Sequence, residues 1–392
     1  MTHRVLVTDG DTRAALAVTR SLGRAGHTVV VAEKRTPALA QTSRYCSARV
    51  TYPAPERDEA GCLDAIAAAV AEHRIDVLMP VADICTMLLA RHRTRFEPAC
   101  RLPFASAEAL ERAADKAELV DTALRLGVPV PHSLRLERAG DPVPDAITYP
   151  VVIKPHRSRV RTNDGWRSCS VSYAADAPAL ARELARRHPA EYPLLLQERL
   201  VGPGLGVFLC YDRGRVIGVC SHRRLREKPP WGGVSVLSES IAVRADARLH
   251  AERLLTALGW HGVAMVEFKV DQRDDVPKLM EINGRFWGSL QLAIDAGVDF
   301  PSMLVDTLDR VEPAAVPSYR TGIRNRWFWG DVDSLLTSLT APAAQLPAGS
   351  SRLGALAEFC KVWSPSLYYE NPKADDVRPW LHESWRWLRR RP

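Results

Sequence analysis

The stretch that decides the reading of this chain runs from Val263 to Pro301, VAMVEFKVDQRDDVPKLMEINGRFWGSLQLAIDAGVDFP. Residues 263–270 and 277–283 alternate apolar and polar in the strand manner, with the polar turn QRDD between them. A hairpin folded about Asp274 puts Glu267 directly opposite Glu281. Asn283, two residues on, shares their face, because successive side chains alternate across a strand. Val266, Phe268, Met280 and Ile282 then point the other way, into a core. Two opposed carboxylates repel unless a cation lies between them. Hard oxygen donors suit Mg²⁺, which keeps waters and is completed by substrate phosphates. An acidic hairpin face without a metal is an equally ordinary surface, so the hairpin alone leaves both readings open.

The rest of the chain narrows the choice. Its 392 residues imply two or three domains, and 46% hydrophobic content suits a large packed core. No run approaches the 18 or more apolar residues of a membrane span, and MTHRVLVTDGDTR has no apolar signal segment. The eight cysteines are scattered with no C-x-x-C pair, which argues against a zinc site or a disulfide framework; a cytoplasmic location is expected. The net charge of +7 comes from arginines spread along the chain, with local clusters at 220–228 and 386–391, so nucleic acid is not an expected partner.

Residues 1–104 read as an α/β domain. Arg4–Thr8 and His27–Ala32 are buried strands around a helix that ends at Gly26. This βαβ unit implies a parallel, Rossmann-like sheet, but the turn at Gly10 lacks G-x-G-x-x-G, so a structural role is favoured there. ASAEALERAADKAELVDTALRLG reads as two helices capped by Ser106 and Asp115. The strand YPVVIKP ends in Lys154, where an ammonium can meet phosphate oxygens, and a polar, basic loop follows to Cys169. LLLQERL runs into the Gly/Pro-rich turn VGPGLG, which can offer backbone groups to a planar base. In HRRLREKPPWGGVS, Arg224 and Arg226 share a face if the segment is a strand, and Arg224, Arg226, Lys228 and Trp231 are the candidate substrate contacts. Six of the ten tryptophans lie beyond residue 320, and 315–392 reads as a Trp-rich helical extension. The stripe Leu381, Trp385, Leu388, flanked by Arg386, Arg389, Arg390 and Arg391, is expected to dock on the protein's own body rather than on a membrane.

Taken in order, ADKAEL, GVPVP, VVIKP, LLQERLVGPGLGV, HRRLREKPPWGGVSVLSES, GWHGVAMVEFKVD and LMEINGRFWGSLQLAIDAGVDFP make the chain resemble the ATP-grasp superfamily, in its carboxylate–amine ligase and carbamoyl-phosphate-synthase-like branch. The resemblance spans about residues 105–305, and more weakly 1–104. It implies a Rossmann-like pre-ATP-grasp domain at 1–104, a two-subdomain ATP-grasp domain at 105–314 with its lid near 130–200, and the extension at 315–392. It also implies roles. Lys116 and Lys154 would hold ATP phosphates, and Glu198 and Leu200 would meet adenine through the backbone. Glu267, Glu281 and Asn283 would ligate Mg²⁺ (or Mn²⁺), Arg285 would stabilise the phosphoryl group in flight, and the loop 156–170 would close over it. The implied reaction is ADP-forming joining of a carboxylic acid to an amine through an acylphosphate. The partners are then small molecules, with a homodimer left open. A thiol or hydroxyl nucleophile, or an inactive nucleotide-binding regulatory module, are the competing readings. Three features depart from the family pattern: Gly284 where relatives carry proline, the single Gly165 in the phosphate-covering loop, and no acidic residue between Arg199 and Tyr211 to hold a ribose.

Overall fold

The computed structural model describes residues 1–162, 165–309, 316–342, 346, 351–361 and 363–389. The first sheet is parallel, in the order Cys46–Thr51, Thr28–Glu33, Arg4–Val7, Val77–Met79. Its first crossover is the helix Arg13–Arg24, capped by the Thr12 side chain and followed by Gly26 at φ +88°. This is the βαβ unit expected. The strand Cys46–Thr51 is additional; it lies at the sheet edge and alternates half-buried with exposed, so it lacks an apolar run.

The helices Ala107–Ala114 and Lys116–Arg125 form as expected, with Ser106 and Asp115 as their N-caps. A small antiparallel sheet follows, in the order Ser133–Leu136, Leu194–Glu198, Val151–Pro155, Ser172–Ala174. It has its own core of Leu136, Ile153, Leu180, Leu194 and Leu196. The expected loop at 156–170 contains an antiparallel hairpin, Arg159–Thr162 with Gly165–Ser168. Asn163, Asp164 and the Arg161 side chain lie outside the described residues.

The largest sheet has seven strands, ordered Pro277–Asn283, Gly262–Val270, Gly204–Asp212, Arg215–Lys228, Val234–Ser240, Arg324–Arg326, Leu367–Tyr369. One face packs an apolar core over its first three strands. There Val207, Val266, Phe268 and Ile282 pack on Leu110 and Leu254 from the helices behind. On the other face Phe208, Cys220 and Met265 are covered by Trp287, Leu290 and Phe300. That cover stops short of Glu267, and the uncovered part of this face faces the small sheet.

Residues beyond 315 carry the helices Phe328–Thr340, Arg352–Phe359 and Arg378–Arg389, and also the last two strands of the large sheet. The proposed boundary at 314/315 falls within 310–315, outside the described residues. One expectation is overturned. The stripe Leu381, Trp385, Leu388 does not dock: these side chains are 55%, 51% and 61% exposed. The last helix docks through its other face. Trp327 Nε1 donates to Glu383 Oε1 at 2.7 Å, Trp329 Nε1 donates to Ser384 Oγ at 2.8 Å, and Trp329 stacks on Trp387 at 4.1 Å. Half-buried indole N–H groups need acceptors, and the polar face supplies them. Arg389 stacks over Trp385 at 3.8 Å, while Arg390 and Arg391 lie outside the described residues.

Candidate functional site

The hairpin register places Glu267 opposite Glu281 and Asn283 opposite Met265, as the alternation requires. The expectation for Met280 fails. A β-bulge shifts the register, so Phe268 faces Leu279 and Leu279 takes the core position. Met280 turns toward the small sheet, where its Sδ lies 3.9 Å from Lys154 Nζ. Lys154 therefore reaches across the cleft to the acidic hairpin.

Arg224 completes this face. Gly206 pairs with both Glu267 and His222, so those two share a side, and Arg224 is two residues beyond His222. Arg224 Nη2 donates to Glu267 Oε2 at 2.8 Å, and Nη1 to Glu227 Oε1 at 3.0 Å. Burial raises the Glu267 carboxyl above its ordinary value; Arg224 opposes the rise and Glu281 adds to it. Burial also pushes the Lys154 ammonium down to about 8, against the pull of Glu281. His222, buried beside Arg224 and 3.3 Å from Ser289 Oγ, is pushed down to about 3, first by burial and then by the Arg224 charge, and is neutral.

Beside Lys154, the Lys116 N–H donates to the His156 carbonyl at 2.8 Å and its Nζ to Ser158 Oγ at 3.1 Å. Asn283 Nδ2 donates to Glu281 Oε1 at 3.0 Å. Arg285 donates to Asn283 Oδ1 at 3.4 Å, the Phe286 carbonyl at 3.0 Å and Asp83 Oδ1 at 3.1 Å. Among the described residues no three His, Cys, Asp or Glu side chains cluster as a self-sufficient metal site. Two facing carboxylates and an amide oxygen fit an Mg²⁺ ion that takes its other ligands from phosphates and water, and they do not fit a closed, all-protein cage. Gly284 does not loosen this loop: a Cβ there would lie 2.5 Å from Leu110 and 2.7 Å from Trp260, so the absence of a side chain permits close packing.

The segment 198–203 joins the two sheets. Glu198 accepts from the His132 N–H at 3.0 Å and from Arg273 at 2.7 Å. Burial would raise its carboxyl, but these donors bring it below the ordinary value. The Glu198 N–H is itself taken by the His132 carbonyl at 2.9 Å, and Leu200 is buried. Gln272 N–H donates to the Val201 carbonyl at 3.0 Å, tying this hinge to the acidic hairpin.

This arrangement has known counterparts. A sequence family described as "ATP-grasp in the biosynthetic pathway with Ter operon" matches residues 190–330. No curated protein matches the chain by sequence. Among solved structures, an L-amino acid ligase from Bacillus licheniformis superposes with TM-score 0.62 at 16% identity, over 78% of this chain and 74% of that one. A biotin carboxylase–β,γ-ATP complex from Campylobacter jejuni gives TM-score 0.63 at 17% identity, over 82% and 74%. N5-carboxyaminoimidazole synthetase from Staphylococcus aureus with ADP gives 0.63 at 13%, over 82% and 80%. The chain has the ATP-grasp fold.

Within the ATP-grasp fold, the other candidate substrate contacts fall in three places. Arg226 does not share the face of Arg224, because two register shifts lie between Arg224 and Glu227. It instead clamps the buried Asp331 at 2.8 and 2.6 Å. Lys228 pairs with Asp333 and lines a cavity beside Arg285. Trp231 is 48% exposed in its turn. Asp83, which holds Arg285, was not legible as a site residue. It opens the helix Asp83–Arg91 after a buried strand, where an acidic first turn is ordinary.

Proposed function

We propose that this protein is an ATP-dependent, ADP-forming carbon–nitrogen ligase. The observation that carries the reading is the Glu267–Glu281 pair facing Lys154 across the cleft, with Arg285 held beside Asn283. Phosphoryl transfer needs positioning and charge neutralisation more than covalent help, and these groups supply both. Lys154 and Lys116 would bind the phosphates of ATP. Burial pushes the Lys154 ammonium down to about 8, and anionic phosphates would favour its charged form. Glu267, Glu281 and Asn283 would hold Mg²⁺, which when bound neutralises phosphate charge. Arg285 would meet the transferring phosphoryl group. The hinge at Glu198 and Leu200 would take the base, through backbone groups other than the Glu198 N–H.

The chemistry runs in two displacements. A substrate carboxylate oxygen attacks the γ-phosphorus, the bond to the β–γ bridging oxygen breaks, and ADP leaves. An amine then attacks the acyl carbon, inorganic phosphate leaves, and the amine nitrogen loses a proton to form the amide. The hairpin at 159–168 supports the reading, since an acylphosphate must be kept from water. The test is ADP release with Mg²⁺ across paired acids and amines, using ¹⁸O-labelled carboxylate. Amide formation with one labelled oxygen in the released phosphate is expected. ADP release that needs no acid, or phosphate without label, would refute it.

A further inference from the structure

A cavity of about 550 Å³ opens where three parts of the chain meet. One wall is Asp11–Ala14 at the start of the helix Arg13–Arg24, the second is the Arg285–Gly288 loop, and the third is Trp327, Trp329 and Trp387. Asp83 lines this cavity and also a smaller one of about 210 Å³, which reaches Lys116, Glu281 and Asn283. The large cavity therefore begins where Arg285 marks the phosphoryl end of the site. Its volume lies in the ordinary range for small-molecule sites.

The lining has a definite chemistry. Arg13, Lys228, Arg285 and Arg386 bring cations, and Asp11, Asp83, Asp333 and Glu383 bring carboxylates; Arg386 pairs with Asp11 and Lys228 with Asp333. The indoles form a fixed apolar wall. Trp329 is stacked on Trp387 and tied to Ser384, Trp387 Nε1 donates to Asp333 Oδ1 at 2.7 Å, and Trp327 is held between the Arg13 guanidinium at 4.0 Å and Glu383. Charges of both signs beside flat apolar surfaces match a ligand with an ammonium, a carboxylate and a ring. Trp327 and Trp329 lie at the end of the family match, which stops at residue 330, and Asp333, Glu383 and Trp387 lie beyond it.

We infer that this cavity takes the carboxylic acid substrate, that the acid is a zwitterion of amino-acid to dipeptide size bearing an aromatic ring, and that the C-terminal extension is its specificity wall. The inference rests on the ligase reading. The acid's carboxylate lies toward Arg285 and its ammonium toward the carboxylates of the extension.

Hydroxylamine as the amine makes the test independent of the natural acceptor, because it traps an acylphosphate as a hydroxamate. The probes are L-phenylalanine, L-tyrosine, L-tryptophan and dipeptides that carry them, with their N-acetyl derivatives and L-alanine as comparisons. An aromatic zwitterion is expected to give hydroxamate with kcat/KM about tenfold or more above its N-acetyl form and above L-alanine. Trp329→Phe, and separately Asp11→Asn on the exposed rim, should raise the acid's KM by about fivefold or more while the KM of ATP stays within about twofold. Melting curves establish that both variants are folded. Hydroxamate formed from acids lacking a ring or an ammonium with kcat/KM equal to or above that of the aromatic zwitterions, or an acid KM unchanged in both variants, overturns the inference and leaves the ligase reading standing. Failure of the wild type to bind MgATP by calorimetry removes the ligase reading and this inference with it.

Discussion

Lys154→Met is expected to stabilise the nucleotide-free protein and to abolish its turnover. The ammonium lies half-buried between the two sheets, 3.9 Å from the Met280 thioether, and burial lowers it from 10.5 to about 8. A depressed lysine means that the folded state holds the charge at a cost, while the unfolded chain holds it freely. At pH 7 both states are protonated, so the full cost is present. A gap of about 2.5 units is worth about 3 kcal/mol. As pH rises through 8 the folded protein releases the proton while the unfolded chain keeps it, and the cost falls to about 1 kcal/mol near pH 9.5 and vanishes above 10.5. Methionine keeps the length of the side chain and removes the charge. The variant should therefore gain up to about 3 kcal/mol at pH 7, and about 2 kcal/mol less than that at pH 9.5. Urea unfolding followed by tryptophan fluorescence at the two pH values, without nucleotide, reads both quantities. MgATP should reverse the order, because the wild type alone gains from binding. A variant no more stable than the wild type at pH 7, or a gain that does not shrink by pH 9.5, would refute the claim that desolvation dominates at this lysine.

Glu281→Ala should lower ADP release by about a hundredfold or more without lowering the melting temperature, since one of two repelling carboxylates is removed. Chelation should silence the wild type, and added Mg²⁺ should restore it; activity that survives either treatment would dismiss the metal assignment. Arg226→Ala should cost about 2 kcal/mol in urea unfolding, because Asp331 is buried and would keep only Arg326, while KM values stay near the wild type's. Arg224→Ala should instead move the acid limb of the rate profile to higher pH, since the Glu267 carboxyl, already raised, would lose the cation that opposes the rise. An unmoved limb would separate Glu267 from turnover. Gly202→Ala should destabilise by about 2 kcal/mol or more and raise the KM of ATP, because its φ is +149° and a Cβ would lie 1.8 Å from the Val270 carbonyl. Normal melting and normal ATP titration of that variant would show that the hinge relaxes freely.

What was legible in the chain is what one period can encode. The opposition of Glu267 and Glu281 follows from alternation about a single turn, and the paired helix caps at Ser106 and Asp115 follow from residue type at a boundary. A bulge is invisible to the same logic. Leu279 and Met280 are both apolar, so nothing in their order says which one faces the core, and the structure gives the core to Leu279. The same holds for Arg224 and Arg226. Spacing by two placed them together; two register shifts part them, and Arg226 goes to Asp331, 105 residues away. The extension is the extreme case. Its contacts with the first helix, Arg13 to Glu370 and Arg20 to Asp376, join residues 357 and 356 apart, a distance over which no pattern in the chain carries information. The buried Arg20 reaches the backbone carbonyls of Glu370, Asn371 and Asp376 as well as the Asp376 carboxylate, so the extension is fastened to the first helix. The residues proposed to bind nucleotide are therefore readable from ordered short motifs, whereas the proposed acid site is built from pieces that meet only on folding. It follows that chains sharing the hairpin and the hinge can differ in substrate through the extension alone, and that grafting this extension's Trp327–Trp387 wall would have to bring Arg13 and Arg20 with it.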